Sequence, residues 1–318
     1  MPPSSGERES GTETHYPIEP FRPQLMSRTF PFVWLDVFAA RPLEGNQLAV
    51  FPEAHGLSDA EMQSIARETH LSETTFVFPE NERSDLEQGF RTRIFAVSGE
   101  MPFAGHPTLG TAAVLCAARK VTEVALALKV GRIPVTFSEK DGLPFGEMVQ
   151  NEPVLGETHD PQAVARALKV PKEELDPKHP IRTVSTGVPF AIVPFRSQTS
   201  LSRIRPSWAA IEDYLTGTDA KFLYLIAPET TSGAAPVHAR MIFSGGEDPA
   251  TGSAAGPAVA WLVLYGLARP GQSVVIEQGT EVHRPSHLYA RADLRDGRPT
   301  HVRVGGHCVE VMRGELTF

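Results

Sequence analysis

The sequence predicts an α+β protein of two related halves, each containing a sheet and one buried helix rich in small residues. Two observations support this prediction. Short apolar segments typical of strands alternate with a few helical segments, and the same order recurs in the second half of the chain. A stretch of fourteen residues that precedes one helix also recurs, without gaps, before another helix.

The first half begins after a polar N-terminal segment. Residues 1–27 are rich in Ser, Thr, Glu and Pro and lack the charged start and apolar core of a signal peptide, which predicts a flexible extension. Strands are predicted at "TFPFVWLDVFA", "QLAVF", "TTFVFP" and "FRTRIFAV", with a turn at "RPLEGN" and a polar loop at "ENERSDLEQG". "SDAEMQSIARETH" predicts a helix from about Ser58, and "GHPTLGTAAVLCAARK" predicts a second helix. Short strands in "EVALALKVGRIPVTFSEKDGLPFGEMVQNEP" complete a predicted domain of residues 28–150.

The second half, residues 151–318, repeats this plan. Helices are predicted at "DPQAVARALKVP", which Pro171 ends, at "SWAAIEDYL" and at "GPAVAWLVLYGL". Strands are predicted within "HPIRTVSTGVPFAIVPF" and at "KFLYLIAPE", "PVHARMIF", "SVVIEQG", "HLYARADL" and "HVRVGGHCVEVMRGEL". The prediction leaves open that the last strand crosses back to the first half.

An internal repeat supports the division into halves. "RIFAVSGEMPFAGH" (residues 93–106) aligns without gaps with "RMIFSGGEDPATGS" (residues 240–253). Both copies follow a strand and a polar loop, and both lead into a helix of small residues. Because the order of elements matches as well as the residues, we interpret the segments as products of a duplication. The identical pairs are Arg93/Arg240, Gly99/Gly246, Glu100/Glu247, Pro102/Pro249 and Gly105/Gly252.

The paired turns predict an anion site in a cleft between the halves. Glycines let backbone amides approach a ligand, and the first amides of a helix have no partner inside that helix. Together with the helix dipole they favour a bound carboxylate or phosphate. "GHPTLGT" has the glycine spacing of a phosphate-binding loop, but Thr111 stands where the lysine is required, so a carboxylate is favoured.

Polar side chains are distributed unequally between the two copies. Met101 corresponds to Asp248, and His106 corresponds to Ser253. One wall of the cleft therefore offers a histidine, and the other offers a carboxylate and a hydroxyl. Glu73, in "HLSETTFVF", lies between a helix and a strand, where burial can raise the pKa of a carboxyl group toward neutrality. Such a group is suited to proton transfer on carbon.

Each candidate residue also has a structural interpretation at this point. Asp248 and Ser253 are typical helix caps, His106 is typical of a loop, and Glu73 can cap a helix end together with Ser72. A hydrolase triad of Ser253, His106 and Asp248 also stays open, although no GxSxG motif supports it.

Composition and motifs narrow the function classes. The chain of 318 residues is 41% apolar and 21% charged, which is typical of a soluble globular protein. A net charge of −8 argues against nucleic acid or an anionic membrane as a partner, and no apolar run is long enough for a membrane span. Two cysteines give neither a disulfide framework nor a thiolate metal cluster, and we expect a cytoplasmic protein. There is no HExxH or GxGxxG motif, and His283 and His287 enclose Pro285 and cannot share a helix face.

Six segments resemble the signature segments of the PhzF-like phenazine-biosynthesis isomerase family, within the diaminopimelate-epimerase-like superfamily. They follow one another in order from about Asp36 to Leu316 and cover nearly all of the chain after the N-terminal extension. The segments are "DVFAARPLEGNQLAVF", "LSETTFVF", "MPFAGHPTLGTA", "EDPATGSAAGP", "IEQGTEVHRPS" and "VRVGGHCVEVMRGEL".

The resemblance implies two similar halves, each a curved, mostly antiparallel sheet or barrel around a central helix, with the active site between them. It implies a cofactor-free and metal-free isomerase that is usually a homodimer and moves protons on carbon of a small carboxylated metabolite. The family's catalytic glutamate falls on Glu73, its histidine on His106, its aspartate on Asp248 and its serine on Ser253. The turns that would bind the substrate carboxylate contain four further residues, Gly105, Pro107, Thr251 and Gly252.

Departures from the family pattern leave the substrate open. Ala96 stands where a threonine is common, His287 replaces a frequent basic residue, and the loop in "FSGGEDP" is short. Other members of the superfamily racemise with two cysteines, but the corresponding positions here are Ala104 and Thr251, which excludes that chemistry. The alternative to an isomerase is a catalytically silent protein that keeps the carboxylate-binding cleft.

Overall fold

The computed structural model describes residues 27–228, 237–244 and 246–318. The predicted N-terminal extension therefore lies almost wholly outside the described residues, as do the end of the "KFLYLIAPE" segment and Gly245 of the repeat.

Strands and α-helices alternate irregularly along the described residues. The strands of the first half are β1 (Thr29–Val37), β2 (Asn46–Phe51), β3 (Glu73–Phe78), β4 (Phe90–Ala96), β5 (Gly99–Met101), β6 (Glu123–Leu128), β7 (Gly131–Lys140) and β8 (Leu143–Val149). Those of the second half are β9 (Val154–Thr158), β10 (Arg182–Ser185), β11 (Pro189–Pro194), β12 (Phe222–Pro228), β13 (Val237–Arg240), β14 (Ile242–Phe243), β15 (Gly246–Glu247), β16 (Val274–Gln278), β17 (Ser286–Arg295) and β18 (Arg298–Thr317). The α-helices are α1 (Asp59–Thr69), α2 (Glu82–Gln88), α3 (Gly105–Arg119), α4 (Pro161–Leu168), α5 (Gln198–Arg203), α6 (Trp208–Leu215) and α7 (Gly252–Leu264).

The strands of the first half close into a barrel around α3. The hydrogen-bonded order is β1-β2-β3-β4-β6-β7-β8-β18, and β18 pairs again with β1. Helix α3 contacts β1, β2, β3, β6, β7, β8 and β18 from inside. Because strands surround it, α3 is buried on most sides. Its many Gly, Ala and Thr residues are small and let the strands approach closely.

The second half is a curved sheet around α7. Its order is β18-β17-β16-β13-β12-β11-β10-β9, and α7 contacts β10, β11, β17 and β18. The α+β fold predicted from the sequence, with a curved sheet around a central helix in each half, is confirmed. No described helix is long and apolar enough to cross a membrane.

The last strand, β18, belongs to both sheets. Its first part pairs with β17, residues 303–307 pair with β8, and residues 308–317 pair with β1. One continuous strand therefore joins the two curved sheets by backbone hydrogen bonds.

Local sequence signals account for the helix ends that were predicted. Ser58 caps α1 in a capping box with Glu61, where each residue's side chain accepts from the other's backbone N–H. Helix α4 begins after the cap Asp160 and ends before Pro171, with Lys169 in the left-handed conformation.

The structure differs from the predicted helices in three places. The polar loop "ENERSDLEQG" contains α2, whose cap Asn81 accepts a hydrogen bond from Ser84 N–H, and α5 was not predicted at all. Each buries only one residue, so neither shows an apolar period. Helix α7 begins at Gly252, four residues before the predicted start, because its small residues pack in the core despite Pro257.

Candidate active site

The two copies of the repeat form matching ion pairs just before α3 and α7. In the first, Arg93 donates from Nε and Nη2 to the two oxygens of Glu100, at 2.8 Å each. In the second, Arg240 donates in the same way to Glu247, at 2.8 and 2.6 Å. Two parallel N–H···O bonds fix the angle of the hairpin that leads to each helix. This shared function explains why the arginine and the glutamate are identical in both copies.

The two helix starts touch each other at their glycines. A Cβ atom on Gly105 would lie 2.6 Å from the Gly252 carbonyl carbon and from Ser253 N, which are backbone atoms. A Cβ atom on Gly252 would lie 2.9 Å from the ring of Phe38. Only glycine allows this approach, so the N-termini of α3 and α7 meet at the boundary between the halves.

Equivalent residues precede the two helices. Ala104 is the N-cap of α3 and Thr251 is the N-cap of α7, and neither side chain makes a capping hydrogen bond. The first amides of both helices are therefore available to an anion, and the two positive helix ends reinforce each other. Pro107 has no N–H, so the amides that α3 offers are those of Gly105 and His106.

Glu73 and His106 lie together beside this junction. Glu73 is the first residue of β3, and His106 is the second residue of α3. Glu73 Oε2 and His106 Nε2 are 3.5 Å apart, and the side chains are 15% and 5% exposed. Both atoms are buried, and neither has a hydrogen-bond partner among the residues that the structure describes. Unsatisfied buried polar atoms are uncommon in folded proteins and are typical of sites where a substrate supplies the missing partner.

Burial shifts the pKa of both groups in the direction that favours the neutral form. The pKa of Glu73 is raised to about 8, mainly by desolvation and further by the charge of Asp248. The pKa of His106 is lowered to about 3 by desolvation, which outweighs a hydrogen bond with the backbone of Gln47. Perturbed pKa values of this kind are characteristic of catalytic groups.

Asp248 lies on the other wall and is fully hydrogen-bonded. Its Oδ1 accepts from Asn46 Nδ2 at 2.7 Å, and its Oδ2 accepts from the Thr251 hydroxyl at 2.6 Å. Asn46 Nδ2 also donates to the carbonyl of Ala250 at 2.9 Å. Burial raises the pKa of Asp248, and the hydrogen bonds from Thr251 and Asn46 oppose that rise. The structural interpretation of Asp248 as a cap is wrong, since Thr251 is the N-cap of α7.

Gln278 and Tyr224 extend this network into the core. Gln278 is fully buried and donates to the backbone carbonyl of Asp248 at 2.7 Å and to Thr251 Oγ1 at 2.9 Å. Its Oε1 accepts from Tyr224 at 2.9 Å and from Thr251 N–H at 3.2 Å. Sequence reasoning missed Asn46, Gln278 and Tyr224. Asn46 and Gln278 lie in segments that resemble the family, but no spacing singled them out.

The remaining predicted residues are also near the junction. Ser253 is the second residue of α7, not its cap, and its half-buried hydroxyl has no hydrogen-bond partner among the described residues. His106 lies in α3 and not in a loop. Ala96 pairs directly with Glu73 across β3 and β4, so this departure from the family pattern adjoins the glutamate. Cys116 lies near the end of α3 and Cys308 lies in β18, away from the two caps.

Three surface cavities lie away from the candidate residues. Three cavities of about 420, 800 and 520 Å³ are lined by residues such as Trp261, Cys116 and Arg119, and by none of the candidate residues. The side chains of Glu73, His106 and Asp248 are instead largely buried at the junction of α3 and α7. Within the described part of the chain, no group of three or more His, Cys, Asp and Glu side chains is arranged to hold a metal ion.

Comparisons with known proteins show the family to which the chain belongs. The family model described as "Phenazine biosynthesis-like protein" matches residues 35–314. A trans-2,3-dihydro-3-hydroxyanthranilate isomerase of Pseudomonas aeruginosa is 34% identical over 281 residues, covering 87% of this chain and 95% of the relative.

Solved structures are similar over the same length. A predicted epimerase from Pseudomonas aeruginosa has a TM-score of 0.78 and 38% identity, covering 90% of this chain and 99% of that one. A probable proline racemase from Agrobacterium radiobacter has a TM-score of 0.61 at 12% identity, covering 90% and 92%, and shows the shared fold alone. The chain belongs to the PhzF-like family of phenazine-biosynthesis-like proteins and is an isomerase.

Proposed function

We propose that the protein shifts a proton on carbon of a small carboxylated metabolite, cyclic or conjugated, with Glu73 as general base and then general acid. The observation that carries this proposal is the buried Glu73 carboxyl, with an unpartnered oxygen 3.5 Å from the unpartnered Nε2 of His106. A carboxyl group with a pKa of about 8 can both take and return a proton near neutral pH.

The junction of α3 and α7 suits the substrate carboxylate. Amides of Gly105, His106, Gly252 and Ser253 lie at two helix starts that meet at the glycines. A substrate whose carboxylate is bound there would have the carbon that loses its proton held next to Glu73. Holding the two groups in this orientation lowers the barrier of the proton transfer.

The proposed reaction needs no change of oxidation state. The Glu73 carboxylate takes the proton as the C–H bond breaks, and the electron pair delocalises into the adjacent conjugated system. The carboxyl proton of Glu73 exchanges with solvent, and the protonated Glu73 then protonates another carbon, or the other face of the same carbon. The unpartnered His106 Nε2 and Ser253 hydroxyl are available to orient polar groups of the substrate.

Deuterium exchange tests the proposal directly. The protein would be incubated in deuterium oxide with trans-2,3-dihydro-3-hydroxyanthranilate, the substrate named for a relative, and with other small cyclic carboxylates. We expect deuterium to enter at carbon, and Glu73→Gln to lower the rate about a hundredfold to ten-thousandfold.

Glu123→Gln is the matched control, because Glu123 also begins a strand but is exposed. We expect this variant to exchange at the wild-type rate. Undiminished exchange by Glu73→Gln would refute the assignment of the proton carrier, and no exchange with any carboxylate would refute the reaction class.

A further inference from the structure

The hydrogen bonds around Asp248 have only one allowed direction. Asn46 Nδ2 contacts the carbonyl of Ala250, which can only accept, so the NH₂ end of Asn46 also faces Asp248. Gln278 Nε2 contacts the backbone carbonyl of Asp248, which fixes the orientation of that amide in the same way.

The remaining protons follow from these two amides. Gln278 Oε1 must accept, so Tyr224 O–H donates to it. Gln278 Nε2 donates to Thr251 Oγ1, and the single proton of Thr251 is then directed at Asp248 Oδ2. The chain Tyr224–Gln278–Thr251–Asp248 therefore runs one way and ends on a carboxylate oxygen, while Asn46 donates to the other oxygen.

Asp248 is held in its charged form, whereas the surroundings of Glu73 favour the neutral, protonated form. Within the described part of the chain His106 Nε2 has no partner, so the hydrogen bond with the backbone of Gln47 uses Nδ1, which carries the proton when the acceptor is a carbonyl. In the neutral ring, Nε2 is then a lone pair that faces Glu73 Oε2. A protonated Glu73 suits that lone pair, whereas a carboxylate would oppose it.

We propose that the one-way chain from Tyr224, together with Asn46, holds Asp248 as a carboxylate whose charge strengthens Glu73 as a base. Asn46, Thr251, Gln278 and Tyr224 are then positioning residues, and Asp248 acts by its charge without carrying the proton. This inference rests on the proposed role of Glu73 as the proton carrier.

The pKa shifts of the surrounding groups agree with this division. Burial raises the pKa of both groups, and the charge of Asp248 raises that of Glu73 further. The hydrogen bonds from Thr251 and Asn46 oppose the rise at Asp248. Burial raises the pKa of Tyr224, which therefore keeps the proton it donates. The negative charge of Glu247 also raises the pKa of Asp248. Glu247 is itself paired with Arg240.

A ¹³C NMR titration of the full chain, labelled at the glutamate side-chain carboxyl carbon, tests the proposal without a substrate. The Glu73 signal is identified by its loss in Glu73→Gln, and its midpoint is expected at about 8. Thr251→Val keeps the shape of the side chain but removes the hydroxyl that donates to Asp248. Asp248 then takes up a proton and loses its charge, so the Glu73 midpoint is expected to fall by about one pH unit or more. Thr251→Ser restores the donor and is expected to return the midpoint toward the wild-type value.

Asp248→Asn gives a second measurement that does not depend on the folding of the Thr251 variants. Removing the neighbouring charge is expected to lower the Glu73 midpoint by about one pH unit or more. Equal midpoints in Thr251→Val and Thr251→Ser, or an unchanged midpoint in Asp248→Asn, would overturn the inference. If these shifts occur but no carboxylate exchanges deuterium, the charge arrangement stands and the proposed reaction fails.

Discussion

At the scale of single residues, Glu73 and Asp248 are two buried carboxyl groups in contrasting environments. Glu73 Oε2 has no partner, whereas both oxygens of Asp248 accept hydrogen bonds. Burial raises the pKa of both groups, but the hydrogen bonds to Asp248 stabilise its charged form, so Glu73 is the group better suited to move a proton.

The free energy of unfolding is expected to fall as pH rises from about 6.5 to about 8. The pKa of Glu73 is raised from 4.5 to about 8, so in this interval the folded protein holds a proton that the unfolded chain has released. The linked effect of His106 has the opposite sign, but most of it occurs below pH 6.5, the ordinary pKa from which that of His106 is lowered. The expected loss is on the order of 2 kcal/mol across the interval.

Urea unfolding at several pH values in this interval measures the effect. Glu73→Gln should remove most of the decline in the free energy of unfolding with pH. The exposed control Glu123→Gln should show the same decline as the wild type. Parallel stability curves for the wild type and Glu73→Gln would contradict the raised pKa.

The sequence predicted some residues of the site but not others. His106, Asp248 and Ser253 were found because the repeat shows where its two copies differ. Asn46 and Gln278 were not found, because a side-chain hydrogen bond to a residue 202 positions away leaves no spacing in the sequence.

At the scale of elements, the glycine at the start of α3 controls how closely the two central helices meet. Gly105→Ala is expected to destabilise the protein by about 1–3 kcal/mol, because the new Cβ would meet backbone atoms of Gly252 and Ser253 that cannot rotate away. The same displacement should abolish deuterium exchange, since the amides proposed to bind the substrate carboxylate would separate. Urea unfolding and the exchange assay measure the two effects.

Gly99→Ala is the control for this prediction. Gly99 precedes the same helix, and a Cβ atom there would meet nothing within 4 Å. Equal stability of Gly105→Ala and Gly99→Ala would show that the helix starts are not in close contact.

At the scale of the whole molecule, Arg284 joins the loop that follows β1 to the segment that precedes β17. It donates to Asp36 Oδ1 at 2.6 Å and to the carbonyls of Gly45 and Glu44 at 2.7 and 2.6 Å. Asn46 follows Gly45 directly, so this contact also fixes the start of the strand that carries Asn46.

Arg284→Met is expected to lower the free energy of unfolding by roughly 3 kcal/mol, because Asp36 would become a buried carboxylate without its cation. Burial already raises the pKa of Asp36, so the deficit should shrink as pH falls and Asp36 becomes protonated. The double variant Asp36→Asn/Arg284→Met removes both charges and should recover part of the loss in urea unfolding. A double variant no more stable than Arg284→Met would contradict this account.

The sequence by itself determined the two-part α+β plan, because apolar periodicity, caps and a repeat are local patterns that survive in one dimension. It also located the glycine turns and the polar residues at which their copies differ. Only the tertiary structure decided that the two helix starts touch, that β18 closes the first barrel, and that Asp248 is held by Asn46 and Gln278. These contacts join residues far apart in the chain, and their energies depend on burial and hydrogen-bond direction, which exist only after the halves have packed together.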